Sequence, residues 1–426
     1  MIEKPYAQLG ERVYEARLSS GLLARVVPKP GFAKTYAFLA VNYGSIDIRF
    51  SVGGLSHHTP EGVAHFLEHK MFDMPNDQNA MYQFSEVGGS PNAFTSYDIT
   101  AYYVECSDQV AENLKILLEF VYTPCFTKES VEKEQGIIAQ EIRMYEDSAD
   151  SRVYENLFSA QFANHPIRNT IAGTVESIGQ ITDQTLYDCY HAFYTPANMM
   201  LCVVGDVDPR MVFDLAEQIV PKGEAVPNRD YGAPEIMAPA QKRIETHMEV
   251  SMPTFALGFK TEPASSGAEA MRQEITGELA AEILVGESSD LYTKLYEKNL
   301  IDSDFSAGYE GLKGVSMLTA GGDSPDPDAV MEAVLREAER IEREGVDEAL
   351  FLRLKRSALG RRMRDLDSFE SLCYRMCAYH FEGADYFSFP ERFREVEQEQ
   401  VAEFLRRTVR EERAALSVIR PKQEGR

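Results

Sequence analysis

The sequence predicts an α+β protein built from two mixed α/β domains, each an antiparallel-rich sheet packed with helices. Three observations carry that expectation. At 426 residues the chain is too long for one ordinary core, so two or more packed units are needed. Strand-patterned and helix-patterned segments follow one another with hairpins between strands, an order that argues against a doubly wound parallel sheet. The stretch 221–243, "PKGEAVPNRDYGAPEIMAPAQKR", is rich in Pro, Gly and Ala and has no periodicity, as an interdomain linker would. The expected division is a first domain over 1–222, a linker over 223–243 and a second domain over 244–426.

In the first half, "GLLARVVPKP" and "TYAFLAVNYGSID" alternate β-formers with polar residues and read as strands. A short helix around "HFLEH" follows, then "NAMYQFSEVGG", a helix ended by glycine. "SPNAFTSYDITAYYVEC" is rich in Thr, Tyr and Phe and reads as a hairpin. Helical periodicity runs over about 109–122, 127–147, 150–163 and 182–193, and "NMMLCVVGDVD" is a buried strand before a helix after Asp208. Past the linker the order recurs. "THMEVSMPTFALGFK" reads as a strand, with helices near 268–285 and 289–298 after it. "SDFSAGYEGLKGVSMLTAGG" reads as a hairpin, and helices over about 327–343, 347–365 and 397–407 lead to a last strand, "AALSVIRP". The repeated order points to an internal duplication.

Composition narrows the function classes. The chain is 44% hydrophobic and 26% charged, the balance of a globular protein. Its net charge of −25 argues against nucleic acid or an anionic membrane as partner, because phosphate surfaces repel it. No basic, then apolar, leader opens the chain, and no run of eighteen apolar residues occurs. Cys106, Cys125, Cys189, Cys202, Cys373 and Cys377 show neither zinc-ribbon nor disulfide-scaffold spacing, which fits a reducing cytoplasm. Cys373 and Cys377 stand four residues apart with no further ligand pair nearby, as core cysteines would.

The chemistry lies in "GVAHFLEHKMF". On a helix His65 and His69 share a face one turn apart and can hold one zinc ion at about 2.0–2.1 Å each. Glu68 can reach the open position of that metal without ligating it. There it would take a proton from a coordinated water, whose pKa zinc lowers to about 7. Chance predicts about 0.01–0.02 matches to this HxxEH pattern in a chain of this length. The bland alternative is an amphipathic helix that carries two partly exposed histidines.

A catalytic zinc site needs a third protein ligand. In "SVEKEQGIIAQEIRMYED", Glu134 and Glu141 lie seven residues apart on one helix face, beside an apolar stripe of Val131, Ile138, Ile142 and Tyr145. Glu141 could ligate the metal while Glu134 accepts a hydrogen bond from a ligating histidine. Two solvated surface glutamates remain the alternative at this point.

"AHFLEHKMF", "GGSPNAFTSYDITAYYV", "EKEQGIIAQEIRMYED" and "YTPANMMLCVVGDVD" stand in an order and spacing that resemble the insulinase/pitrilysin family of zinc peptidases. The resemblance covers nearly the whole first half by motif, and the second half by element order and length. It implies two similar α+β domains in a half-shell that encloses a chamber with a partner, a catalytic zinc domain first and a non-catalytic domain second. It implies one zinc ion on His65, His69 and Glu141, with Glu68 as general base and Glu134 as supporting carboxylate. "SPNAFT" matches an edge-strand motif, so Ser90, Asn92 and Ala93 would present main-chain groups to an extended peptide.

One departure matters. Complete catalysts of the family carry an Arg and, seven residues later, a Tyr in the second domain, near the scissile carbonyl. In "SSDLYTKLYEKNLIDSDF" those positions fall on Tyr296 and Ser303. Tyr carries no cation at neutral pH, Ser is too short, and losing one such donor costs about 100–1000-fold in rate. The chain therefore resembles the zinc-bearing subunit of small bacterial heterodimers, whose related partner lacks the metal and supplies the Arg and Tyr. Within those it is similar to a Gram-positive branch linked with modification of elongation factor P, a link that no residue of these motifs carries. The expected activity is zinc-dependent hydrolysis of short or unfolded peptides by a processing-type endopeptidase in the cytoplasm. Two alternatives stay open: a catalytically silent metal-binding scaffold that presents peptides, and a homodimer that cleaves weakly.

Overall fold

The computed structural model describes residues 1–75, 78–265 and 267–422. Two compact units interleave along the chain. The first comprises Met1–Ile142, Thr170–Tyr231 and Met363–Phe381; the second comprises Arg143–Asn169, Gly232–Arg362 and the segment from Glu382 onward.

The first unit opens with β1 (Ile2–Tyr6), β2 (Glu11–Arg17), β3 (Leu23–Pro28) and β4 (Thr35–Val41). Two small hairpins follow, β5 (Arg49–Val52) with β6 (Leu55–His58), and β7 (Asp73–Met74) with β8 (Gln78–Asn79). Next come β9 (Ser90–Thr95), β10 (Thr100–Cys106), β11 (Met199–Gly205) and β12 (Asn228–Arg229), the last paired with β5. The large sheet has the order β1-β2-β3-β11-β4-β10-β9, with β9 at one edge. Strand β11 pairs parallel to β3 and antiparallel to β4. Strands β4 and β11 are buried at every position, as near-continuous apolar runs in the middle of a covered sheet should be. Their Leu39 and Leu201 join Phe66, Leu67, Tyr102 and Phe120 in the core.

The second unit holds β13 (Arg243–Met248), β14 (Thr254–Thr261), β15 (Ser306–Leu312), β16 (Val315–Asp323) and β17 (Ala414–Pro421). Its sheet order is β13-β17-β14-β16-β15, with β17 parallel to β13 and antiparallel to β14. This repeats β3-β11-β4-β10-β9 strand for strand and direction for direction. The expected duplication is therefore present in topology.

Each sheet is covered by a helix from the other half of the sequence. The helix Ala149–Gln161 packs on β14 and β17 of the second unit, where Gln161 Nε2 donates to the Gly258 carbonyl at 2.5 Å. The helix Phe369–Phe381 packs on β4 and β11 of the first, with Cys373 and Cys377 fully buried and Met376 Sδ 3.7 Å from Cys202 Sγ. The single strand expected over "THMEVSMPTFALGFK" is two, β13 and β14. Pro253 has no N–H for a ladder and stands in the break. The hairpin β1–β2 has no counterpart among the expected strands. Among the described residues no helix is long and apolar enough to cross a membrane.

Candidate metal centre

The helix Val63–Lys70 carries "VAHFLEHK" and starts after Gly62 at φ 86°. A Cβ on Gly62 would lie 2.3 Å from the Ala172 carbonyl oxygen, so the tight entry requires glycine. Val63, Ala64, Phe66 and Leu67 are buried in the core. That anchors the helix and leaves His65, Glu68 and His69 along the remaining stripe. The helix packs against β9, β10 and the helix Asp183–Phe193.

The second support is the helix Lys128–Glu146. Val131, Ile138 and Ile142 are buried and fix its rotation, so Glu134 and Glu141 turn to the histidines. Tyr145, expected on the same apolar stripe, is 39% exposed, in the last turn of the helix.

The chain thus brings together residues far apart in sequence. His65 Nε2 lies 3.7 Å from Glu141 Oε1, and His69 Nε2 lies 3.4 Å from Glu141 Oε2. The two imidazoles are 4.6 Å apart between centroids, and one ligand atom from each of His65, His69 and Glu141 fits within 4.8 Å. His69 Nδ1 is hydrogen-bonded to Glu134 Oε1 at 3.1 Å, which implies the tautomer with its Nε2 lone pair facing Glu141. A lone-pair nitrogen and a carboxylate repel when they face one another, and a cation between them removes the conflict. Two imidazoles with one carboxylate suit zinc, and three protein ligands leave a fourth position free for chemistry.

The electrostatics divide the two rings, keeping His65 neutral and drawing positive charge toward His69. Burial, and then the adjacent His69, push the His65 pKa down to about 4, which keeps the ring neutral as a ligand must be. Burial alone would lower His69, but the bond to Glu134 and the charges of Glu68 and Glu141 raise it. Glu134 is held low, because His69 and Lys70 outweigh its desolvation. Burial raises Glu68 in spite of His69 and Thr95.

Two residues beyond the expected set belong to this cluster. Thr95 Oγ1 donates to Glu68 Oε2 at 2.9 Å, from the last position of β9. Lys70, only 2% exposed, reaches Glu134 Oε2 at 3.7 Å and pairs with Asp73. Both lie inside "SPNAFT" and "AHFLEHKMF", close to residues singled out for their chemistry, and that adjacency is the one signal the sequence offers for them.

Ser90, Asn92 and Ala93 lie on β9, the open edge of the sheet. Pro91 has no N–H to give the ladder, and the Ala93 N–H goes to Asn92 Oδ1 at 2.9 Å. The odd-numbered positions therefore turn their main chain outward, so of the three expected residues Ala93 does so, while Ser90 and Asn92 turn theirs to β10. In the second unit Tyr296 is 52% exposed on the helix Asp290–Glu297, stacked on Tyr292, and Ser303 is exposed in the turn after it.

Comparison with known proteins gives the same picture. Residues 44–175 match the family described as insulinase, peptidase family M16, and residues 180–358 match the peptidase M16 inactive domain. The chain is 37% identical over 427 residues to the uncharacterized zinc protease YmfH of Bacillus subtilis, covering 98% of each. It is 31% identical over 166 residues to the mitochondrial-processing peptidase subunit beta of Dictyostelium discoideum, covering 38% of this chain and 35% of that one. The structure of an M16-like peptidase from Alicyclobacillus acidocaldarius aligns at a TM-score of 0.92 and 33% identity, over 97% of this chain and 99% of the other.

Proposed function

Because the chain belongs to the insulinase family of zinc proteases, peptidase family M16, we propose that His65, His69 and Glu141 hold one zinc ion. On this reading the chain hydrolyses short or unfolded peptides as a processing-type endopeptidase. The observation that carries the proposal is the Glu141 carboxylate set against two imidazole Nε2 atoms, with Glu68 beside them. When bound, zinc supplies the Lewis acidity that activates water and polarises the scissile carbonyl.

The remaining work falls to the side chains. Glu68 accepts the proton of the attacking water and passes it to the leaving amine nitrogen, and its raised pKa suits both halves of that transfer. Thr95 holds one oxygen of Glu68, so the other is free for the proton. Glu134 fixes the ring of His69 and its tautomer. The outward main chain of β9 binds an extended peptide as an added strand, which makes affinity depend little on side-chain sequence. For such pairing Asn92 Oδ1 must release the Ala93 N–H. Tyr296 and Ser303, in place of an Arg and a Tyr, favour a chain that is the zinc-bearing subunit of a heterodimer with a related partner. The six cysteines, all free thiols, support a cytoplasmic setting.

The test is Glu68→Gln. The variant should keep about one zinc per chain by metal analysis, while peptide hydrolysis falls by about 1000-fold or more. Cleavage at the wild-type rate would remove Glu68 from the mechanism, and a chain that binds no zinc would remove the metal.

A further inference from the structure

The cross-strand register sets Cys202 of β11 opposite Arg25 of β3, and Arg25 opposite Glu15 of β2. Directly opposed residues share a face. Cys202 meets Met376, so Arg25 and Glu15 lie on the face covered by the helix Phe369–Phe381. The HFLEH helix is on the other face, where Thr95 reaches Glu68, and near the other edge. At the end of the covering helix the sheet face opens into a cleft of about 410 Å³, with Ile2, Glu15, Arg17, Leu23, Arg25 and His380 among its walls.

The cleft is cationic in a chain of net charge −25. Lys4 and Arg25 both pair with Glu15, at 2.9 and 2.7 Å, and Arg17, with one Nη on the Gly21 carbonyl, lines the wall as well, so the lining sets two arginines against one carboxylate that Lys4 also neutralises. Arg25 is 8% exposed and gives Glu15 only its Nε. Its Nη atoms, and the ring nitrogens of His380, have no hydrogen-bond partner among the described residues. A nearly buried guanidinium with both Nη atoms free is a fork for a carboxylate or phosphate. Burial, then Arg25, Arg17 and Lys4 against Glu15, push the His380 pKa down to about 4, so its ring stays neutral at pH 7 and offers one N–H. Ile2 and Leu23 supply apolar wall beside these donors.

We infer that this cleft binds a small oxyanion, carboxylate or phosphate, that carries a short apolar group. The site is separate from the metal centre and independent of the peptidase reading. Its ligand is a compact anion of the kind a free carboxylic acid, a peptide C-terminus or a phosphate monoester presents.

The full chain, titrated by calorimetry at low ionic strength with sodium hexanoate and with inorganic phosphate, tests this. One anion should bind per chain, and Arg17→Gln and His380→Gln should each weaken it about fivefold to tenfold. Both positions are partly exposed and spare the Glu15–Arg25 pair, so the variants should keep the wild-type melting temperature. Tighter hexanoate assigns the site to carboxylates, and tighter phosphate assigns it to phosphates. Titrations that saturate with neither probe overturn the inference. So does binding that both variants leave unchanged, since the anion then sits elsewhere.

Discussion

Thr95 shows what a single hydroxyl can contribute. Its Oγ1 is 2.9 Å from Glu68 Oε2, although the two residues stand 27 positions apart in the chain. A carboxylate that moves protons works best when one oxygen is fixed, because the other then meets its proton at a defined angle. Thr95→Val keeps the shape and removes the donor. We expect kcat to fall about tenfold with KM and zinc content nearly unchanged, and Thr95→Ser to restore most of the loss. If valine lowers kcat no more than serine does, Thr95 has only a packing role. At this scale the sequence discloses residues whose spacing itself implies the chemistry. His65 and His69 share a helix face whatever else folds around them, and Glu134 and Glu141 do the same. Thr95 and Lys70 are not readable in that way, because their roles depend on contacts made across the fold, Lys70 with Glu134 and Thr95 with Glu68.

Strand β9 carries the corresponding argument for elements. An open edge with free main-chain donors is an aggregation hazard, and proline is one of the usual remedies. Here Pro91 blanks one outward position and Asn92 occupies the next donor, at Ala93. Ala93→Pro should therefore leave the sheet intact, since the lost N–H serves no ladder bond. It should raise KM for extended peptides about tenfold, because a substrate strand loses one of few main-chain partners. An unchanged KM in a folded variant would mean that peptides bind by another edge. Periodicity makes most elements legible, including the edge hairpins β9–β10 and β15–β16, though not the edge hairpin β1–β2. It cannot assign the helices Ala149–Gln161 and Phe369–Phe381 to their sheets. An apolar stripe says that a helix needs cover, but not which sheet provides it. The break at Pro253 is visible in the sequence, yet the β-formers on either side outweigh it in the single-strand reading.

For the whole molecule, the duplication poses the last question. Both units build the same five-strand order, yet among the described residues the one metal-competent cluster is His65, His69 and Glu141 of the first. A duplicated fold with chemistry in one copy leaves the other free to supply transition-state contacts. The positions where relatives are expected to carry an Arg and a Tyr hold Tyr296 and Ser303, and an exposed tyrosine stacked on Tyr292 places no cation anywhere. An oxyanion donor is worth about 100–1000-fold in rate. The chain alone should therefore bind zinc and peptide but turn over slowly. Mixed with a related chain that lacks HxxEH and carries the Arg and Tyr, it should gain about 100-fold or more in kcat/KM. The gain should saturate at one partner per chain, and Glu68→Gln in the zinc-bearing chain should abolish it. If the chain alone matches the mixture, its own site is complete and the substitutions at 296 and 303 are neutral. If the mixture is silent although zinc is bound, the metal serves a scaffold that presents peptides. Partner-dependent turnover that Glu68→Gln removes is the outcome the site geometry favours.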